Sequence, residues 1–260
     1  MTQEQHFFDF AAEAGLTKHF GSLEATDKMV DLCHIGPESY VLDVGCGVGA
    51  TPCHLAKAYG CRVVGVDILP RMIERSKERA LKMSVADLVE FRVADAQDLP
   101  FDDDIFDAVI TESVTSFPKD KQKAVNQYAR VLKPGGAVGL NESTWLKVPP
   151  PPELVEWVRQ DIGATVEPQT ADGWKDLLVN AGLEDIVVIL EPVDVKAESR
   201  GILQRYGLGG MVSTLTRAFR MYLRNPNYRQ FVKDVNQGGL IPDNFKEYFG
   251  YGIFVGRKAS

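Results

Sequence analysis

The residues best suited to do chemistry in this chain lie in one short stretch, "VLDVGCGVGA", at residues 41–50. An apolar run ends there in glycines at alternate positions, and an aspartate stands two residues before the first of them. Glycine accepts backbone angles that other residues avoid and lets the main chain approach a ligand closely. The pattern predicts a strand that ends in a ligand-binding loop and continues into a helix.

Two kinds of cofactor fit this loop. Gly45, Gly47 and Ala50 match the G-x-G-x-x-[G/A] pattern of dinucleotide binding. Asp43 together with Gly45, Gly47 and Gly49 gives D-x-G-x-G-x-G, a pattern typical of loops that bind S-adenosylmethionine (SAM). The carboxylate of Asp43 would repel a pyrophosphate, whereas it would attract the sulfonium and ammonium groups of SAM. Charge therefore favours SAM, and an NAD-dependent oxidoreductase is the alternative.

Further polar residues end the next apolar runs. Asp67 closes "VVGVD", where a carboxylate can accept hydrogen bonds from the ribose hydroxyls of either cofactor. In "ADAQDLPF", Asp95 and the backbone of Ala96 could bind an adenine ring. The run "FDAVITES" ends in Thr111 and Glu112. These residues predict a row of ligand-binding groups at one edge of a sheet.

These motifs, followed by "VLKPGG" at residues 131–136, resemble in order and spacing the class I SAM-dependent methyltransferases, in particular the subgroup with the ubiquinone and menaquinone enzymes. The resemblance is close over residues 40–140 and looser over "GWKDLLVNAGLEDIVVI" and "GYGIFVGRK". It implies methyl transfer to a small-molecule acceptor. The implied cofactor residues are Asp43, Gly45, Cys46 (through its backbone), Gly47 and Gly49 at the methionine end, Asp67 and Ile68 at the ribose, Asp95 and Ala96 at the adenine, and Thr111 and Glu112 near the methyl group.

Apolar runs alternate with helix-like segments, which predicts an α/β fold with a parallel sheet between helices. The family resemblance sharpens this to a Rossmann-like, seven-stranded, mostly parallel sheet with helices on both faces. The connection before the last strand is about 60 residues long, where the family usually has a short turn, and this length predicts an α-helical cap. The predicted strands are Tyr40–Val44, Arg62–Val66, Glu90–Ala94, Ala108–Thr111, Ala137–Asn141, Ile186–Leu190 and Ile253–Val255. The predicted organisation is an N-terminal helical segment over the active site (1–38), a SAM-binding core (39–190) with a substrate-side insertion (142–170), the helical cap (191–250) and a last strand (251–260).

Composition excludes several classes of protein. The 260 residues carry a net charge of −7, which argues against a general nucleic-acid binder. The chain shows neither a signal peptide nor a run of membrane-spanning length, and its four cysteines lack metal-ligand spacing. We therefore expect a cytoplasmic protein without a metal site. The oligomeric state is not predictable from these features.

Methyl transfer usually releases a proton, and a base that takes it is therefore sought among the polar residues. The candidates are His19 and Glu112, followed by Glu142 and Tyr206. Substrate contacts are expected from segments that leave the carboxyl ends of the strands, where this class of fold binds ligands. The candidates there are Glu142, Trp145, Tyr206, Arg217 and Tyr222. A SAM-binding protein without catalysis is a further alternative.

The predicted cap differs in charge from the rest of the chain. Residues 200–233 contain six arginines, one lysine and no acid, which leaves a charge of −14 on the remaining residues. Apolar residues recur there at helical spacing. Three interpretations fit: a helix whose apolar face packs on the core, a lid that holds an apolar or acidic substrate, or a helix that docks on an anionic membrane. The three glycines before the helix favour the lid over the membrane helix.

Overall fold

The computed structural model describes residues 3–15, 17, 19–161, 168–236 and 242–260. In these residues one sheet contains eight strands. They are β1 Tyr40–Val44, β2 Arg62–Asp67, β3 Val89–Val93, β4 Phe106–Glu112, β5 Leu132–Trp145, β6 Gln169–Thr170, β7 Leu183–Pro192 and β8 Phe249–Lys258. The helices of the same residues are α1 Gln3–Ala14, α2 Ser22–Leu32, α3 Ala50–Tyr59, α4 Pro70–Met83, α5 Lys121–Val131, α6 Pro152–Asp161, α7 Ala171–Asn180, α8 Val195–Arg224, α9 Pro226–Asn236 and α10 Phe245–Tyr248.

The strand order is β3-β2-β1-β4-β5-β8-β7. The pairs from β3 to β5 are parallel, whereas β8 lies antiparallel between β5 and β7. From β1 the chain adds strands first on one side and then, from β4, on the other. The fold therefore has a topological switch point between β1 and β4, where open α/β sheets bind ligands.

The predicted fold class is confirmed, but the count of seven strands is wrong. All seven predicted strands are present, and the eighth is the two-residue β6, which pairs with Thr144 and Trp145 at the end of β5. Two residues are too few to produce the alternating pattern by which a strand is predicted.

Alternate side chains of the central strands enter two different cores. Leu42 and Val44 belong to a cluster with residues of α5 and α7, and Val41 belongs to another with residues of α2 and α3. Side chains alternate across a strand, so the sheet is covered on both faces. Burial on both faces fixes the register of β1 and thus the position of the loop that follows it.

The cap consists mainly of α8, which contacts α1, α2 and α9. It bends at Gly207, whose φ of 63° and ψ of 172° are not helical. The interpretation that its apolar face packs on the core is wrong, because Val212, Leu215 and Phe219 are all exposed. Residues 162–167 of the predicted insertion, 237–241 of the predicted cap, and 1, 2, 16 and 18 of the N-terminal segment lie outside the described residues.

Candidate active site

The loop after β1 has the predicted strand-loop-helix form. Gly45, Gly47 and Gly49 have φ angles of 75°, 53° and 75°, in the region that favours glycine. The N–H groups of Gly45 and Cys46 donate to the carbonyl of Val66 on β2, at 2.7 and 2.9 Å. The Cys46 side chain is buried, with its sulfur 4.0 Å from the hydroxyl of Ser76. Cys46 can therefore serve a ligand only through its backbone, as predicted.

Asp43 lies at the switch point, where Val44 of β1 is paired with Thr111 of β4. Its side chain is buried, and its Oδ2 atom has no hydrogen-bond partner in the structure. Burial, followed by the charges of Glu112 and Asp67, raises its pKa well above the usual range. A buried carboxylate oxygen without a donor is costly, so this position fits a cationic ligand such as the ammonium or sulfonium of SAM.

Glu112, at the end of β4, is the centre of a buried hydrogen-bond network. It accepts from the hydroxyls of Thr26 on α2, at 2.8 Å, and Thr51 on α3, at 2.6 Å. Its Oε2 lies 3.2 Å from Nε2 of His19. Burial alone would raise the pKa of Glu112, but the charges of His19 and Arg205 and the two hydroxyl donors bring it below its usual value. Glu112 is therefore a carboxylate at neutral pH.

His19 is buried between Glu112 and the backbone of the N-terminal segment. Its Nδ1 lies 2.9 Å from the carbonyl of Phe20 and 3.3 Å from the amide nitrogen of Asn141. Burial lowers the pKa of His19 to about 4, although the charge of Glu112 acts in the opposite direction. The ring is therefore neutral at pH 7, and the His19–Glu112 pair carries one negative charge there. Of the four predicted candidate bases, His19 and Glu112 are the two that contact each other.

Arg205 of α8 reaches the same centre from the cap, and sequence reasoning missed it. Its positive charge lowers the pKa of Asp43, Glu112 and His19. Its Nη2 atom is buried and has no hydrogen-bond partner in the structure. The arginine-rich composition of the cap was the one available signal, and it did not distinguish Arg205 from the other arginines.

Asp67 and Ile68 lie at the end of β2, beside the glycine loop. One oxygen of Asp67 accepts from the N–H of Gly47, at 3.0 Å, and the other from that of Leu69, at 2.9 Å. Burial raises the pKa of Asp67 to about 6. The side chain of Ile68 is 62% exposed. A carboxylate next to an exposed apolar side chain could hold a ribose and one face of an adenine ring.

The remaining cofactor candidates lie at the ends of β3 and β4. Asp95 accepts from the N–H of Gln97, at 2.8 Å, and thereby forms the turn after β3. Ala96 is partly buried against the core. Thr111 is buried, with its hydroxyl 3.3 Å from that of Thr115. These three residues lie in the predicted order along the carboxyl ends of the strands.

Two of the predicted substrate residues have other partners. Glu142 is buried and accepts from Val114 N, Thr115 N and Ser116 Oγ, at 2.9, 2.6 and 2.8 Å. It thus holds the loop after β4, and burial raises its pKa to about 7. Trp145 is part of a core cluster and packs edge-on against Phe249.

Two of the three predicted substrate residues of the cap, Tyr206 and Arg217, line the same cavity. The hydroxyl of Tyr206 donates to the carbonyl of Thr17, at 2.6 Å, and so fixes the segment before His19. Arg217 donates to the carbonyl of Ala14, and the cavity, which lies between α4 and α8, has a volume of about 300 Å³. Tyr222 is 40% exposed. In the described part of the chain, none of these three residues is among the groups that shift the pKa of Asp43, Glu112 or His19 by charge or hydrogen bonding.

Comparison with known proteins identifies methyltransferase relatives of this chain. The methyltransferase-domain family matches residues 42–140. The 27-O-demethylrifamycin SV methyltransferase of Amycolatopsis mediterranei is 35% identical over 184 residues, which are 67% of this chain and 66% of that enzyme. Phosphoethanolamine N-methyltransferase 1 of Arabidopsis thaliana is 32% identical over 167 residues, which are 64% of this chain but 33% of that enzyme. This chain therefore spans about a third of the length of the plant enzyme.

The solved structure of the [4+2]-cyclase SpnF shares the fold. It superposes with a TM-score of 0.74 at 20% identity and covers 100% of this chain and 96% of its own. At this identity the likeness shows the fold alone. The family match and the methyltransferase relatives confirm the prediction of SAM as the cofactor, and they do not support the NAD alternative. The chain belongs to the class I SAM-dependent methyltransferases.

Proposed function

We propose that this methyltransferase acts on a small molecule that carries a carboxylate or phosphate group, and that Arg205 binds this group. The observation that carries the proposal is the buried Nη2 of Arg205, which has no acceptor among the described residues. A buried guanidinium N–H without an acceptor is costly, and planar oxyanions are its best partners. The phosphate in the name of the plant phosphoethanolamine enzyme supports this substrate class.

In this proposal the carboxyl ends of β1, β2, β3 and β4 hold the cofactor. The glycine loop with Asp43 contacts the methionine end, Asp67 the ribose, and Ile68 with the turn at Asp95 the adenine. SAM, when bound, would supply a methyl group already activated by its sulfonium. The protein therefore has to orient the acceptor, exclude water and remove a proton.

The His19–Glu112 pair is the proposed acceptor of that proton. The charge of Glu112 favours proton uptake by the His19 ring, although burial has the larger effect and lowers the pKa of His19 to about 4. The other ring nitrogen, Nδ1, lies 2.9 Å from the carbonyl oxygen of Phe20 and 3.3 Å from the amide nitrogen of Asn141. Asn141 itself donates to the same carbonyl, at 2.8 Å. The pair has the geometry of a base held by a second group.

The carboxylate of SAM itself could also satisfy Arg205. We assign Arg205 to the substrate because it belongs to α8, in the cap, whereas the cofactor candidates lie on the strands and loops of the sheet. The choice can be tested with decarboxylated SAM, which lacks that carboxylate. If Arg205 binds the cofactor, Arg205→Met weakens SAM but not decarboxylated SAM.

The experiment measures release of S-adenosylhomocysteine over a panel of amines, phenols and thiols that carry a carboxylate or phosphate, each next to its neutral ester or amide. We expect turnover of acidic members, at least a tenfold higher KM for them in Arg205→Met, and little change in the Kd of SAM. Arg200→Met, an exposed arginine of the same helix, is the matched control. Turnover restricted to neutral members, or a loss confined to SAM binding, would refute the substrate assignment.

Turnover also separates this proposal from a SAM-binding protein without catalysis.

The location proposed for the enzyme is the cytoplasm, which is supported by four buried cysteines, none of them in a disulfide: Cys33, Cys46, Cys53 and Cys61. Within the described residues, no helix has both the length and the apolar character needed to span a bilayer.

A further inference from the structure

The second half of α8 has its apolar side turned away from the protein. Thr214 and Met221 are buried and Arg217 is partly buried, so they form the side that faces the body of the molecule. The opposite side carries five large apolar residues, each 61–76% exposed, which we call the outer stripe: Leu208, Val212, Leu215, Phe219 and Leu223. Intervals of three and four residues place them in one row along the helix.

The usual arrangement of a surface helix is the reverse, with apolar residues on the core and polar ones in water. Single exposed apolar residues are ordinary, whereas a continuous row of this kind marks a surface that is covered in the working state of a protein. The row spans 16 residues from Leu208 to Leu223, which is about 24 Å of helix at 1.5 Å per residue. The covering partner therefore has to be apolar over that length.

The charges around the outer stripe restrict the partner further. Arg220 and Arg224 are exposed on the same half of α8, and Lys233 is exposed on α9. Residues 200–233 contain no acid that could neutralise them. The partner therefore combines an apolar surface with negative charge along its border.

From these features we propose that the outer stripe docks on the surface of an anionic lipid bilayer. The helix would lie in the plane of the interface, with the stripe in the acyl region and the arginines among the headgroups. Phe219 in the stripe and Tyr222 beside it are of the types that interfacial helices use. This inference does not depend on the role proposed for Arg205.

A second copy of the chain fits the stripe less well. Pairing of two such helices about a two-fold axis would bring Arg220 and Arg224 of both copies to one interface with no acid from residues 200–233. Like charges at an interface disfavour association. The anionic bilayer supplies the opposite charge, whereas the second copy does not.

Flotation of the whole protein with vesicles tests the proposal. One vesicle type is neutral phosphatidylcholine and the other contains about a third phosphatidylglycerol, both in 0.1 M NaCl. We expect at least tenfold stronger binding to the anionic vesicles, and weaker binding as salt increases because the arginine contacts are screened. If the same fraction of the protein is recovered in the floating layer with anionic vesicles, with neutral vesicles and without vesicles, the proposal is overturned.

Variants identify the surface that binds. Leu215→Gln with Phe219→Gln should reduce binding to anionic vesicles at least tenfold, and Arg220→Gln with Arg224→Gln should remove the preference for anionic over neutral vesicles. Leu81→Gln is the control, because Leu81 is a leucine of similar exposure, 71%, on a different helix, α4. Unchanged SAM affinity in every variant would show that the fold is intact. A dimer that Leu215→Gln with Phe219→Gln converts to a monomer would instead assign the stripe to a second copy and overturn the proposal.

Discussion

The carboxylate of Glu112 connects the stability of this protein with its cofactor affinity, so Glu112→Gln should affect both. The substitution keeps the shape of the side chain but removes its charge. Thr26 and Thr51 then donate to a neutral group, and one of them faces an N–H instead of a lone pair. His19 loses its charged neighbour at 3.2 Å.

The size of the effect follows from these three contacts. Hydrogen bonds to charged groups contribute about 1.5–3 kcal/mol and those between neutral groups about 0.5–1.5 kcal/mol, so about 1 kcal/mol is lost for each contact. We expect a decrease of about 2–3 kcal/mol in the free energy of unfolding. Loss of a negative charge next to the cationic end of SAM should weaken its binding by about 10- to 100-fold, since 1.4 kcal/mol corresponds to a factor of ten.

Urea unfolding and calorimetric titration with SAM measure the two effects. Trp174→Phe is the matched control. Trp174 lies on α7, and the substitution removes its buried hydrogen bond to the carbonyl of Ser143, at 3.0 Å. The control should be destabilised without a change in SAM affinity. If Glu112→Gln binds SAM within twofold of the wild type, the carboxylate does not face the cofactor and the reasoning is refuted.

Three further predictions concern single features of the site. Gly45→Ala should be destabilised by about 1–3 kcal/mol more than Gly182→Ala in urea unfolding. Both glycines have a positive φ, but a Cβ added at Gly45 would come within 2.3 Å of the Val114 side chain, whereas a Cβ added at Gly182 would meet no atom within 4 Å. Equal losses in the two variants would contradict this packing. His19→Gln should flatten the pH dependence of stability, because His19 is protonated near pH 6.5 in the unfolded chain and only near pH 4 in the native protein. The free energy of unfolding of the wild type, relative to that of the variant, should therefore fall by up to about 3 kcal/mol between pH 7 and pH 4. Parallel pH profiles of the two proteins would show that His19 is not buried as described. Asp67→Asn should weaken SAM by about tenfold or more because charge-assisted bonds to the ribose are lost, and an unchanged Kd would remove Asp67 from the site.

The form of the loop after β1 was predictable because its information is local. The glycines and Asp43 lie within seven consecutive residues, and the parallel order of the strands brings Asp67 and Glu112 to the same edge. Charge alone then favoured a cationic cofactor over a pyrophosphate. The same argument could not find Thr26, which bonds Glu112 across 86 residues of sequence.

The cap was predicted as a helix but not in its orientation. Periodicity shows that Val212, Leu215 and Phe219 share one side of a helix, and it does not show which side faces the protein. The general rule places the apolar side inward, and here it points outward.

Glu142 illustrates the opposite difficulty. An acid at the end of a predicted strand resembles a site residue, yet its oxygens accept three hydrogen bonds from the loop after β4.

The measurement that tests the central claim most directly is a calorimetric titration of the whole purified protein with SAM and, separately, with NAD⁺. The site described here has a buried carboxylate at Asp43 with an oxygen that lacks a donor, and a second carboxylate at Glu112. It therefore predicts one SAM bound per chain and no measurable heat with NAD⁺. Absence of SAM binding, or NAD⁺ binding that SAM displaces only weakly, would contradict the claim that these carboxylates select a cationic cofactor.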